Sequence, residues 1–277
     1  GKALQAGSSH VLGTNFASAQ NIRFQNDQGE FVLANTTSWG VSTRMIGGVI
    51  MVHGDDDGLR VPPRIAPWQI VIVPMLRDQP EDAAIVEYCK ALQAELANQS
   101  ALGEPVRALL DLKFGKAATK RWGWVKKGAP IVIEVGGRDV AGGNVSVIRR
   151  DRLYREDGKL DSAVVARGDF VGQAAGLLEE IQAGLHAEAR QRLEANIVAA
   201  ADFAAIETHF ADGVKNPGWL EVQWSRPTGT ALDAVVERLK ALKLTIRNAP
   251  MQQAAPEGAC VFTGNPAVER VLIGRAY

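Results

Sequence analysis

"WQIVIVPM", Trp68–Met75, decides the fold. It is an unbroken apolar run of strand length, the pattern of a β-strand buried on both faces, which in a soluble protein means a central strand of an α/β layer. Immediately downstream, Ile85, Cys89, Leu92 and Leu96 recur at spacings of 4, 3 and 4, one face of an amphipathic helix. "PVRALLDL" (105–112) and "PIVIEV" (130–135) repeat the buried-strand pattern. "NVSVIRR" (144–150) makes a fourth strand, joined to the third through "GGRDVAGGN", which reads as a glycine-rich hairpin. Strand, helix, strand, connection, strand predicts an α/β layer with a largely parallel sheet.

Upstream, "RVPPRIAPW" (60–68) holds three prolines in nine residues and reads as a stiff linker. Before it, "NIRFQ" and "EFVLANTTSW" read as strands around the turn "NDQGE". Ser42 or Thr43 then caps a helix running through Met51 and ended by His53-Gly54. Downstream of Asp161 the character changes. Leu177, Leu178, Ile181, Leu185, Ala189 and Leu193 form one stripe of a long helix. "PGWLEVQWS" and "LTIRNAP" flank the helix "ALDAVVERLKALK", and "ACVFT" and "RVLIGRAY" read as closing strands. Three parts follow, residues 1–66, 67–155 and 156–277, the last a small α+β domain; 277 residues suffice for about two domains or three small ones.

The totals exclude several classes. Hydrophobic residues make up 46% and charged residues 22%, the balance of a globular chain with a buried core. Net charge is zero, so any affinity for nucleic acid has to come from a local patch. Two distant cysteines, Cys89 and Cys260, do not make a disulfide scaffold and fit a reducing cytosol. The apolar run Met45–Val52 is too short to span a bilayer. The chain opens on "GKALQAGSSHVLG" without a methionine or leader pattern, as if entered in mid-domain.

"KFGKAATKRWGWVKK" (113–127) is the clearest electrostatic signal: six of its fifteen residues are basic and none acidic, with Phe114, Trp122 and Trp124 interleaved. Cations neutralise phosphates and aromatic faces stack unpaired bases, so the composition suits single-stranded or loop RNA. A solvated loop whose tryptophans fold back into the core has equal claim. His10, His53, His186 and His209 do not share a metal-binding spacing. Asp55, Asp56 and Asp57 read as a solvated turn, because three consecutive side chains cannot converge on one cation.

"ALQAGSSHVLGTNF", "TTSWGVSTRMIGGVIMVHGDDDGLRVPPRIAPWQIVIVP" and the final "GRAY" resemble prolyl-tRNA synthetases of the archaeal and eukaryotic type, and the middle block resembles motif 3 of the class II aminoacyl-tRNA synthetases. The resemblance implies a remnant of the antiparallel class II catalytic sheet, an α/β anticodon-binding domain with a mixed sheet, and an α+β C-terminal domain. It implies that Arg44 is the motif 3 arginine clamping ATP, which would explain a single cation at the head of an apolar helix forming the buried back wall of the active site. Gln5, Ser8 and Ser42 would touch ATP, Gln5 near its magnesium, and His10 would line the proline pocket. Lys120, Trp124 and Lys127 would approach tRNA(Pro), and the carboxylate of Tyr277 would tuck towards the active site. The implied protein is a cytoplasmic, homodimeric proline–tRNA ligase without membrane attachment.

Three departures qualify the resemblance. Motifs 1 and 2 lie outside this sequence, so the piece alone should not make prolyl-adenylate. The zinc-binding cysteines of many relatives are reduced to Cys260, which predicts no zinc. Gly123 stands where the family has a glutamate expected to read an anticodon base, and Val132 where an arginine is usual. The rival expectation is therefore a non-charging paralogue, an RNA- or amino-acid-binding module on the same fold.

Overall fold

The computed structural model describes residues 4–275 except Phe114. Two compact units emerge: residues 49–190, and residues 1–48 together with 191–277. The chain begins with β1 (Gly7–Gly13), α1 (Asn15–Gln20), β2 (Arg23–Gln25), β3 (Phe31–Leu33) and β4 (Thr36–Val41), followed by α2 (Arg44–His53). β2 and β3 form the expected hairpin around Asn26, whose Oδ1 accepts the amides of Gln28 and Glu30. β1 pairs antiparallel with β4, setting Ser8 opposite Gly40 and His10 opposite Ser38. The capped helix lies where it was expected, but it is not the buried wall anticipated for it: none of its residues is buried, and Met45, Ile46, Ile50 and Met51 are exposed.

The 49–190 unit is built on the quoted run. It contains β5 (Ile70–Pro74), α3 (Asp82–Ala97), the short pair β6 (Ser100–Ala101) and β7 (Glu104–Pro105), β8 (Ala108–Leu110), α4 (Ala117–Lys127), β9 (Ile131–Val135), α5 (Gly137–Gly142), β10 (Asn144–Arg149), β11 (Ala163–Ala166) and most of α6 (Arg167–Ala195). The sheet order is β11-β10-β9-β5-β8. β5 runs parallel to β8 and β9, whereas β10 is antiparallel to both its neighbours, so the sheet is mixed rather than largely parallel.

Period-2 alternation divides β5 between two cores. Ile70 and Ile72 point to the side covered by Ile85, Cys89, Leu92 and Leu96 of α3 and Phe170, Leu178 and Ile181 of α6. Val71 and Val73 point to the other side, where Val132 and Val125 close a smaller core. Each fully buried aliphatic side chain contributes about 1.5–3 kcal/mol, which explains why β5 tolerates no polar residue. Asp82, in the first turn of α3, accepts the amides of Arg77, Asp78 and Gln79 and so pins the loop that enters the helix.

Two local expectations give way. The "GGRDVAGGN" connection is the short helix α5 rather than a hairpin loop: Asp139 turns back to accept the Gly136 amide at 2.8 Å and fixes its first turn. The basic segment expected as a loop is the helix α4, ended by Gly128 at φ +82°.

The remainder carries β12 (Ile197–Ala199), α7 (Phe203–His209), β13 (Trp219–Trp224), α8 (Gly229–Ala241), β14 (Leu244–Asn248) and β15 (Glu269–Arg275). These strands form a sheet of order β12-β13-β15-β14, over a core that includes Ile206, Phe210, Leu220, Val235 and Ile273. "ACVFT" is a turn, not a strand, since β15 already pairs with both β13 and β14 and the chain there reverses at Gly264, φ +74°. Among the described residues no helix is long and apolar enough to cross a membrane.

Candidate functional site

Four of the residues expected at a nucleotide meet in one depression of about 280 Å³, lined by Gln5, Ala6, Gly7, Ser8, Gly40, Val41, Ser42 and Arg44. β1 supplies one wall, the end of β4 the other, and the first residue of α2 the rim. Gly7 matters sterically, because a Cβ there would sit 3.1 Å from the Gly40 carbonyl oxygen. Gln5 Nε2 donates to Ser8 Oγ at 2.9 Å, so the two side chains hold each other at the mouth. Ser42 Oγ accepts the Arg44 amide at 3.4 Å, and the Met45 amide donates to the Ser42 carbonyl at 3.1 Å. These contacts open α2 at Arg44, whose guanidinium has no ion pair among the described residues and faces solvent. A rigid, permanently charged fork beside two serine hydroxyls suits phosphate oxygens. His10 lies on the same strand face as Ser8, but two residues further along and outside the lining. Tyr277 and Phe114 lie outside the described residues.

The second cluster is α4. Its organiser is Asp111, a buried carboxylate at the end of β8 that the sequence reading passed over. Asp111 Oδ2 accepts Trp124 Nε1 at 2.7 Å, and its Oδ1 accepts the Lys113 amide at 3.0 Å. Lys120 Nζ donates to the Asp111 carbonyl at 2.8 Å and to the Lys113 carbonyl at 3.2 Å. Trp124 thus turns inward against the small core, and Lys127 Nζ lies 4.4 Å from its ring centroid. Arg121 is likewise drawn inward, donating to buried Glu134 at 2.9 Å. Lys113, Lys116, Trp122, Gly123, Lys126 and Lys127 remain exposed, a basic surface with one open indole. A Cβ on Gly123 would meet nothing within 4 Å, whereas Val132 is fully buried in the small core. The sequence signal for Asp111 was a lone acid closing an apolar strand, ambiguous until its partner nine to thirteen residues on is placed.

The aspartate triplet lies in a largely exposed turn, as expected, but two of its carboxylates are tied into the fold. Asp55 accepts both terminal nitrogens of buried Arg150, whose Nε also donates to the Val125 carbonyl at 3.1 Å. Arg60 donates to the His53 carbonyl at 3.1 Å and pairs with Glu188. Asp57 accepts Tyr154 Oη at 2.8 Å. The physical reason is burial: a guanidinium sealed under the sheet requires a carboxylate, and Asp55 is the one within reach. No three His, Cys, Asp or Glu side chains gather as a metal site among the described residues. Burial pushes the Cys89 thiol up to about 12. Burial also acts to raise Cys260, but hydrogen bonds from Ser225, Thr263 and backbone amides outweigh it and hold that thiol below its ordinary value.

Residues 69–166 match the anticodon binding domain family. Along its full length the chain is 73% identical to a proline–tRNA ligase of Sphingomonas elodea, covering 54% of that protein. It is 66% identical to one of Sphingopyxis alaskensis, covering 52%, and 41% identical to one of Bdellovibrio bacteriovorus, covering 54%. The chain spans about half the length of the curated relatives it matches, and over that span it is similar to proline–tRNA ligases, with residues 69–166 similar to the anticodon binding domain family.

Proposed function

We propose that this chain is part of a proline–tRNA ligase of the archaeal and eukaryotic type, which activates proline with ATP and transfers it to tRNA(Pro). The observation that carries the reading is the single depression shared by Gln5, Ser8, Ser42 and Arg44. Arg44 is the motif 3 arginine, neutralising phosphate charge as pyrophosphate departs, while Gln5, Ser8 and Ser42 orient the nucleotide. ATP enters with Mg²⁺ as its substrate complex. His10, further along the same strand face, lines the space for proline. Such catalysis is positioning and charge neutralisation and needs no covalent protein nucleophile.

Residues 1–66 belong to the catalytic domain, 67–155 to the anticodon-binding domain and 156–277 to the C-terminal domain. The packing of Phe170–Leu185 against the α/β sheet favours a later second boundary, near residue 190. The face of α4, with Lys120 and Trp124 framing it and Lys127 at its end, meets tRNA. The third domain holds no zinc, since hydroxyls rather than thiols surround Cys260. The complete protein is a cytoplasmic homodimer.

Proline-dependent ATP–pyrophosphate exchange on the complete reading frame tests this, with Arg44→Ala beside it. The expected result is exchange that depends on proline and falls by about 10²–10³-fold in the variant, as for loss of a charge-stabilising donor. A second reading, a non-charging RNA-binding paralogue, is favoured by Gly123 and the buried Val132, where base-reading side chains were expected. Absence of exchange from the folded, full-length protein would select that reading.

A further inference from the structure

At the C-terminal end of α4, on the side where β5 begins, lies a cavity of about 260 Å³ walled by Pro67, Trp68, Trp124, Lys127, Gly128 and Ala129. We infer that this slot takes one unstacked nucleobase of a bound RNA, with Trp68 as the stacking surface and Lys127 meeting the attached phosphate. The inference rests on the RNA reading of α4 and extends it to a residue that neither the family resemblance nor the basic run singled out.

Four features of the slot point to a base. First, its walls are preformed. Trp68 precedes Gln69, a fully buried side chain that donates to the Pro63 carbonyl at 3.1 Å and accepts the Arg107 amide at 2.9 Å. Trp124 is locked by its 2.7 Å bond to Asp111. The Trp124 wall and the backbone that carries Trp68 do not have to be ordered when a ligand arrives, which lowers the cost of binding. Second, Trp68 is 42% exposed, although it directly precedes the fully buried strand β5. Third, the lining residues are apolar or aromatic except for Lys127, whose amine lies over the Trp124 ring, so the slot offers aromatic faces plus one cation. That pairing matches a flat ring carrying an anion, and base-on-aromatic stacking is tolerant of base identity. Fourth, the volume is below the roughly 300 Å³ at which drug-sized sites begin, so it fits one ring system rather than a run of bases. The slot continues the exposed basic surface through Lys126 and Lys127, so an RNA strand following that charge reaches it without leaving cationic ground.

The test is the affinity of this chain for tRNA across a salt series, for wild type, Trp68→Ala, Trp68→Phe and Lys127→Ala. Loss of one stacked base weakens binding about tenfold in Trp68→Ala with an unchanged salt slope, and the phenyl variant recovers most of the affinity. Lys127→Ala lowers the salt slope by about one instead. In parallel, ultraviolet irradiation of the wild-type complex yields a nucleotide adduct on the peptide containing Trp68, a readout that does not depend on any variant folding. Binding of Trp68→Ala within twofold of wild type, or crosslinking confined to other peptides, overturns the slot and leaves Trp68 as a protein-docking residue. Failure of the wild-type chain to bind tRNA at all overturns instead the RNA reading of α4 on which the slot rests.

Discussion

Arg150 shows how one side chain fixes a local structure. Its guanidinium is buried beneath the sheet, closes the end of α4 through the Val125 carbonyl and clasps Asp55 with two nitrogens. The hydrogen bond from Arg150 is the main reason the Asp55 carboxyl is held below its ordinary value. A carboxyl whose folded value is depressed stabilises the fold fully above its unfolded value, near 3.8, and loses that contribution as pH falls through the lower folded value. Asp55→Asn is therefore expected to cost about 1–3 kcal/mol at pH 7, chiefly by leaving Arg150 without its counter-charge, with Asp55 itself partly solvated. Urea unfolding of both proteins at pH 7 and at pH 3 measures it, and a gap that does not narrow at pH 3 would refute the linkage. The two thiols make a second residue-scale contrast. At pH 8 iodoacetamide should modify Cys260 before Cys89, since the thiolate of one is stabilised by hydrogen bonds and the other is sealed at about 12. The aspartate triplet also marks a limit of reading along the chain: three acids between glycines have the composition of the exposed turn they form, but the arginine that Asp55 holds lies 95 positions away.

At the scale of elements, α4 carries the test because its two glycines do opposite things. Gly128 ends the helix at φ +82°, and a Cβ there would lie 2.5 Å from the Leu59 carbonyl oxygen. The adjacent segment is zipped to it by amides of Leu59 and Val61 donating to the carbonyls of Lys126 and Gly128 at 3.1 Å each. Gly128→Ala must therefore both strain the backbone and separate the two segments, a loss of about 2 kcal/mol or more. Gly123 sits mid-helix in open space, so Gly123→Ala should gain about 0.5–1 kcal/mol. Thermal unfolding of the two variants checks the pair, and equal effects would refute the helix end as drawn. The strands β5, β9 and β10 and the helix α3 were legible because burial on both faces, or on one stripe, leaves an unbroken apolar pattern. α4 was not, although Ala117, Trp124 and Val125 recur at helical spacing, because its four cations and exposed Trp122 swamp that stripe with the composition of a loop. The roles proposed for Gln5, Ser8, Ser42 and Arg44 at a nucleotide were legible only through resemblance. Gln5, Ser8 and Ser42 are ordinary polar residues, and what makes them a site is the β1–β4 register that sets Gly7 opposite Val41 and Ser8 opposite Gly40.

At the scale of the whole molecule, the distribution of burial predicts the distribution of stability. In the 49–190 unit, β5 and β9 are enclosed by helices on both faces, and their amides can exchange only when that double core opens. β1 and β4 form a two-stranded ribbon on which Val11 is 87%, Trp39 74% and Val41 78% exposed. An isolated two-stranded ribbon is marginal in water, because the entropy of fixing its backbone is not offset by apolar burial. Native-state hydrogen exchange should accordingly show amides of β1 and β4 less protected than those of β5 and β9 by about 100-fold or more. The arrangement around Arg44 is then built on a weakly buried ribbon as well as being the proposed nucleotide site, so a ligand that engages it should raise protection there first. Adding ATP with magnesium tests this directly: protection rising across β1, β4 and the first turn of α2, with β5 and β9 unchanged, ties the depression to the nucleotide. Uniform protection of all four strands without ligand would mean that the exposed ribbon is covered in solution, and a dependence on protein concentration would identify the cover as a second copy of the chain.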